Sequence, residues 1–137
     1  MSNIRVTFDA EYGHSDVWVD AQFTHKGEVR SFPRVSGLMS SGHLSTYSRE
    51  LEALEVALWQ LAASWRDQGI KTQRGLEVVC CTEYQLRALR SLSKWQTSNW
   101  VAKDGSPLKN QLSLQRLAAA VASLRSMVGE MSYSLAD

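Results

Sequence analysis

Leu76-Glu77-Val78-Val79-Cys80-Cys81-Thr82-Glu83 is the stretch on which the architecture turns. Its apolar residues run on without alternating, which is the pattern of a central strand covered on both faces. An acid, Glu83, follows directly. The N-terminus repeats the arrangement: Ile4-Arg5-Val6-Thr7-Phe8 alternates as a half-buried strand does, and Asp9 closes it. Between the two runs, Leu51, Leu54, Leu58, Leu61 and Trp65 recur at helical spacing in a stretch that starts around Ser45–Ser48 and runs to about Gln68, with Glu50 in its opening turn. If the two runs are neighbouring strands, Asp9 and Glu83 emerge at one sheet edge and the helix returns Glu50 to it. Three carboxylates in one place repel each other, and such a cluster persists mainly where a divalent cation neutralises it. The pattern predicts a site of Asp9, Glu50 and Glu83 holding Mg2+ or Mn2+, of the kind that performs phosphoryl transfer.

The remaining segments fit around this frame. Val17, Val19, Ala21 and Phe23 share one face of a second strand, Val17–Thr24, and a turn at Lys26-Gly27 leads to a third near Val29–Phe32. Pro33 cannot donate to a ladder, so the third strand belongs at an edge. Residues 34–47 read as a Ser- and Gly-rich connection, and Gly69 ends the first helix. Two more helices are predicted, about Glu83–Lys94 and Leu112–Val128, and Met131–Leu135 is long enough for a last strand. Tight early connections followed by a helical crossover predict an α/β fold: a five-stranded mixed sheet in spatial order 3-2-1-4-5, flanked by helices.

Composition narrows the class. At 137 residues the chain suits one domain spanning 1–137, and 44% hydrophobic with 21% charged residues is ordinary for a soluble protein. A net charge of +1 excludes an overall basic field, so any nucleic-acid surface must be local. Cys80 and Cys81 are adjacent in a strand and point to opposite faces, so they read as reduced, buried thiols of a cytoplasmic protein. No leader is evident, and no apolar run approaches the roughly 20 residues of a membrane span. His14, His25 and His43 have no ligand spacing and receive no role.

Four motifs in order carry a resemblance. Ser48-Arg49-Glu50-Leu51 with Ala53, Ala57 and Leu58 is similar to the first-helix motif of the ribonuclease H family, and Thr82-Glu83-Tyr84-Gln85 to its Thr-Asp-Ser motif after strand four. Trp100-Val101-Ala102-Lys103-Asp104-Gly105-Ser106-Pro107-Leu108-Lys109-Asn110, then Leu114-Gln115-Arg116-Leu117, resembles the bacterial W-x3-D-x2-P-x-K-N segment and the start of the next helix. With Asp9 these cover residues 4–117. The resemblance implies a ribonuclease H-like sheet and a nuclease that cuts the RNA strand of RNA–DNA hybrids with two metal ions about 4 Å apart. In that scheme Asp9 bridges both ions while Glu50 and Glu83 hold the second. The same resemblance makes Trp95, Trp100, Lys103, Lys109 and Asn110 the candidate nucleic-acid contacts, although both tryptophans also suit helix packing.

The chain departs from the family pattern at several points. Ala10-Glu11-Tyr12-Gly13-His14-Ser15 stands where a Gly-rich turn is usual, and Glu83 where the second aspartate is usual. The substrate-binding protrusion between Trp95 and Trp100 is short and lacks its basic residues. The histidine loop, fourth metal-binding aspartate and final helix have no counterpart unless Asp137 replaces that aspartate. These departures lead to an expectation of weak, Mn2+-favoured cleavage. The alternative is a catalytically degenerate module that binds nucleic acid or a protein. A missing last helix also predicts apolar sheet surface open to a partner or a second protomer.

Overall fold

A computed structural model of the chain describes residues 2–10, 16–40 and 46–137. The expected substitute for the Gly-rich turn after Ala10, and Ser45 at the predicted helix start, lie outside the described residues. The elements are β1 (Ile4–Ala10), β2 (Asp16–His25), β3 (Glu28–Ser31), β4 (Val35–Leu38), α1 (Thr46–Asp67), β5 (Leu76–Cys80), α2 (Glu83–Thr97), α3 (Gln111–Arg125) and β6 (Met131–Leu135).

The sheet runs β3-β2-β1-β5-β6, with β4 also paired to β2, and this is the predicted spatial order. β1 is antiparallel to β2 and parallel to β5, and β6 is parallel to β5. Lys26 and Gly27 both take positive φ, as a two-residue turn between twisted strands requires. The strand count needs correction, from five to six. What reads as one edge strand and a loop is an edge strand broken at Pro33: β3 pairs with Gln22–His25, and β4 with Asp16–Val19. Gly37 permits this second half, since a Cβ there would lie 2.6 Å from Gln60 Cγ and 2.7 Å from Val56 Cγ1 of α1. Two helix ends also move. α2 continues to Thr97, and α3 stops at Arg125 although Met127 and Val128 beyond it remain buried.

All three helices cover one face. α1 packs across β1, β2 and β4, α2 across β5 and β6, and α3 against α1. Ile4, Val6 and Phe8 of β1 and Val17, Val19 and Ala21 of β2 meet the predicted Leu51–Trp65 stripe of α1 in one core. Phe32, at the broken edge, packs on Trp65 with ring centroids 4.8 Å apart. Alternation sends Arg5, Thr7, Asp9, Trp18, Asp20 and Gln22 to the other face. That face is not the apolar surface expected. Arg5 pairs with Glu77 at 3.6 Å, and Arg34 pairs with Asp20 at 2.9 Å while lying over Trp18. Trp18, 41% exposed, and Val79, buried on this side of β5, are its apolar members. Among the described residues, no helix is long and apolar enough to cross a membrane.

One acid is buried in the helical layer. Glu55 of α1 is 8% exposed, and burial pushes its carboxyl above its ordinary range, opposed by the Arg116 guanidinium 3.8 Å away. A carboxyl raised in the folded state contributes stability that is complete below its unfolded value and lost as pH rises through the folded one. Glu55→Gln should therefore match the wild type at pH 4. It should become the more stable form progressively above the ordinary value of 4.5, because the mostly exposed Arg116 returns little for the pair. Urea unfolding at several pH values between 4 and 7 would check this, and a constant difference across the series would contradict it.

Candidate metal and nucleic-acid site

Parallel pairing of β1 with β5 brings the C-terminal ends of both strands to one edge. Carried forward from Val6↔Val78, the register sets Asp9 beside Cys81 on the polar face, and the Cys81 thiol donates to the Phe8 carbonyl at 3.3 Å. α2 then starts with a reciprocal cap. The Thr82 hydroxyl accepts from Gln85 N–H at 3.2 Å, while Gln85 Oε1 accepts from the N–H groups of Cys81 (2.9 Å) and Thr82 (3.2 Å). Gln85 is 2% exposed, and its Nε2 donates to the Glu50 carbonyl at 2.8 Å, fastening α1 to this junction. The Thr82 hydroxyl in turn donates to Glu50 Oε2 at 3.2 Å, which orients the carboxylate toward the strand ends.

Burial pushes the Cys81 thiol up, and the negative charges of Asp9 and Glu50 push it further. Cys80, on the core side, is pushed up to about 12 by burial and stays protonated. The expectation that both cysteines are buried holds for Cys80 alone, because Cys81 is exposed.

Glu83 behaves differently from the other two acids. Thr82 occupies the cap position that faces Glu50, and Glu83 lies one residue further round an element that turns 3.6 residues per cycle. It is exposed, forms no hydrogen bond or ion pair among the described residues, and sits in the first turn, where the helix dipole favours an acid. Among the described residues, no three His, Cys, Asp or Glu side chains form a group able to hold a metal ion. Of the three expected acids, Glu50 is hydrogen-bonded at this junction, through the Thr82 hydroxyl. Glu50 itself is the fifth residue of α1 and not in its first turn, so the dipole of that helix does not explain it. Asp137 is exposed, and the bond from Ala136 N–H to the Cys80 carbonyl (2.8 Å) brings the chain end to the same sheet edge, one strand further out.

The expected nucleic-acid contacts divide. Trp100 is 9% exposed, packs in the core at positive φ and borders the space between α2 and α3. Trp95 is half-buried against the same core. Lys103 and Lys109 are exposed. Asn110, at the start of α3, lies 3.3 Å from the Ser48 hydroxyl, which puts Lys109 near the entry of α1 and two residues from the level of Glu50. Sequence reasoning missed Tyr47 and Tyr84, from the first turns of α1 and α2. Their rings meet at 4.9 Å, and Tyr47 is 57% exposed. No sequence signal pairs them. The Thr82-x-x-Gln85 spacing is the sequence signal that could have announced the cap.

The clamp has a measurable worth. Gln85→Leu strands the N–H groups of Cys81 and Thr82 and should cost about 2–4 kcal/mol in urea unfolding. Thr82→Ala should cost about 1 kcal/mol as a lost cap. Because both changes break one network, the double variant should cost less than their sum. Simple additivity would show that the two side chains act independently.

No known family's sequence pattern matches the chain, and no characterised protein matches it in sequence. Solved structures do match in shape. The solution structure of the PFV RNase H domain aligns with a TM-score of 0.57 at 13% identity, over 99% of this chain and 77% of that one. A foamy viral protease-reverse transcriptase in complex with an RNA/DNA hybrid aligns at 0.57 and 14% identity, over 98% of this chain and 17% of that one. A foamy viral protease-reverse transcriptase in complex with dsDNA aligns at 0.54 and 11%, over 99% and 79%. With strand order, crossover and helix placement all in agreement, the chain has a ribonuclease H-like fold.

Proposed function

We propose that this chain is a divalent-cation-dependent nuclease of ribonuclease H type that hydrolyses the RNA strand of RNA–DNA hybrids. The reading is supported by Asp9 at the end of β1, beside β5 in the register of two central parallel strands, and by Glu50, which Thr82 and Gln85 hold at the start of α2. Two hard carboxylates beside the Thr82 hydroxyl suit Mg2+ or Mn2+, which such sites bind through one or two carboxylates with water and substrate phosphate. Asp9 and Glu50 are the principal ligands in this reading. Glu83 and Asp137 are the further carboxylates available at the same edge. Bound there, the cation supplies an activated water and neutralises charge on the phosphodiester.

The chain's own groups do the positioning. Thr82 aims Glu50, and Gln85 holds the helix that bears it. Lys109 and Lys103 offer charge to the phosphate backbone, Asn110 braces the loop against α1, and the exposed Tyr47 ring, backed by Tyr84, offers a face to a sugar or base. Few protein ligands make cation binding depend on the substrate, which favours slow, Mn2+-preferring cleavage. A cytoplasmic setting, with both thiols reduced, belongs to the same reading.

A second reading has an observation of its own. The lack of a three-ligand group among the described residues favours a module that binds nucleic acid without cutting it. A labelled RNA–DNA hybrid incubated with Mg2+ and with Mn2+ separates the two. Cutting of the RNA strand, faster in Mn2+ and reduced about 100-fold or more by Glu50→Gln and Asp9→Asn, is the expected result. Hybrid bound but uncut in both metals would establish the second reading. In either case Lys109→Ala should lower the slope of log affinity against log salt by about one unit, and an unchanged slope would remove this lysine from the backbone contact.

A further inference from the structure

Away from the acids, the second half of α2 and the outward side of α3 enclose a groove of 540 Å3 that ends at Tyr133 of β6. The volume is that of a small-molecule site. Its two ends differ. At the β6 end, Arg125 Nη2 donates to the Tyr133 hydroxyl at 3.3 Å, and Arg90 Nη2 reaches the Tyr133 carbonyl at 3.5 Å. The two guanidinium groups therefore contact the same tyrosine, one at its carbonyl and the other at its hydroxyl. Neither is paired with a carboxylate among the described residues, where the ion pairs of arginine involve Arg5, Arg30, Arg34 and Arg116. At the other end are the amides of Gln96 and Gln115. Between the ends the floor is apolar, built from Leu89, Leu92 and Val121, with Ala118 and Ala122 keeping it open.

We infer that this groove binds a small anion with an apolar or flat body, its carboxylate or phosphate held between Arg90 and Arg125 and its body lying along α2 and α3. Charge complementarity selects the head. Two guanidinium forks present paired N–H donors to an oxyanion, and the Tyr133 hydroxyl adds a third group. Geometry limits the body. From Arg90 to Gln96 the helix rises about 9 Å and from Gln115 to Arg125 about 15 Å, so the cationic and amide ends are a small molecule's length apart. The site does not depend on metal or hydrolysis and stands whether or not the nuclease reading does.

Calorimetric titration of the full chain with decanoate and with AMP tests the assignment, each beside its neutral counterpart, decan-1-ol and adenosine. The expected result is saturable one-to-one binding of at least one anion, with the neutral counterpart weaker by about tenfold or more. Arg90→Gln and Arg125→Gln should each weaken the anion by about tenfold, with unchanged circular dichroism. Ala122→Trp, which fills the groove without altering charge, should abolish binding. Which anion binds distinguishes a lipid-like carboxylate from a nucleotide phosphate. Absence of saturable binding by both anions, equal affinity for a neutral counterpart, or indifference to both arginine variants would overturn the site. Loss of hybrid affinity in the arginine variants without small-anion binding would overturn it in favour of a nucleic-acid surface.

Discussion

The buried Gln85 amide is the interaction on which the arrangement of the site depends. It joins three pieces of chain that are distant in sequence or direction: the end of β5, the first turn of α2 and the backbone of α1 at Glu50. A neutral side chain suits the task. Its oxygen serves two orphan N–H groups and its nitrogen one carbonyl, so it is satisfied without burying a charge. A glutamate here would meet the Glu50 carbonyl with an acceptor and would face the negative charge of Glu50 nearby. Because the clamp acts on the Glu50 backbone while Thr82 holds its carboxylate, position and aim of that acid are set by separate bonds.

Asp9 lies on the exposed face of β1, where water screens it, and Glu50 is half-buried but hydrogen-bonded. Burial and the charges of both acids push the Cys81 thiol up. The polar sheet face continues outward through the ion pairs of Arg5 with Glu77 and Arg34 with Asp20. A sheet with helices on one side needs such a face, since each exposed strand residue must tolerate water. The same one-sided layering leaves α2 and α3 as the outer surface, and their incomplete closure produces the groove that ends at Tyr133.

Much of the fold was legible because period and length carry it. The Leu51–Trp65 stripe, the unbroken apolar run of β5 and the alternation of β1 and β2 each bury the residues their spacing indicates. The edge strand was only half legible: Val35–Leu38 has too few apolar residues to signal a strand, and it forms because β2 is long enough to pair twice. In the site, the strand end that bears Asp9 and the helix start that bears Glu83 were legible, since both follow from the same periods. Which of Thr82 and Glu83 meets Glu50 was not. A one-residue offset is invisible in a motif but rotates a side chain by more than a quarter turn on a helix. Trp100 was ambiguous for a related reason, because its burial depends on a positive φ that local composition does not announce.

The amino-acid sequence by itself determined the order of strands and helices, the core face of each and the strand end at which Asp9 stands. These follow from periodicity and from short connections, which are local. Only the tertiary structure decided that Thr82 and not Glu83 faces Glu50, that Tyr47 meets Tyr84, and that Arg90 and Arg125 contact one tyrosine without acidic partners among the described residues. These are relations between side chains on different elements. They depend on how far each helix is rotated about its own axis when its apolar stripe is packed down, and no pattern along a single chain segment specifies that rotation.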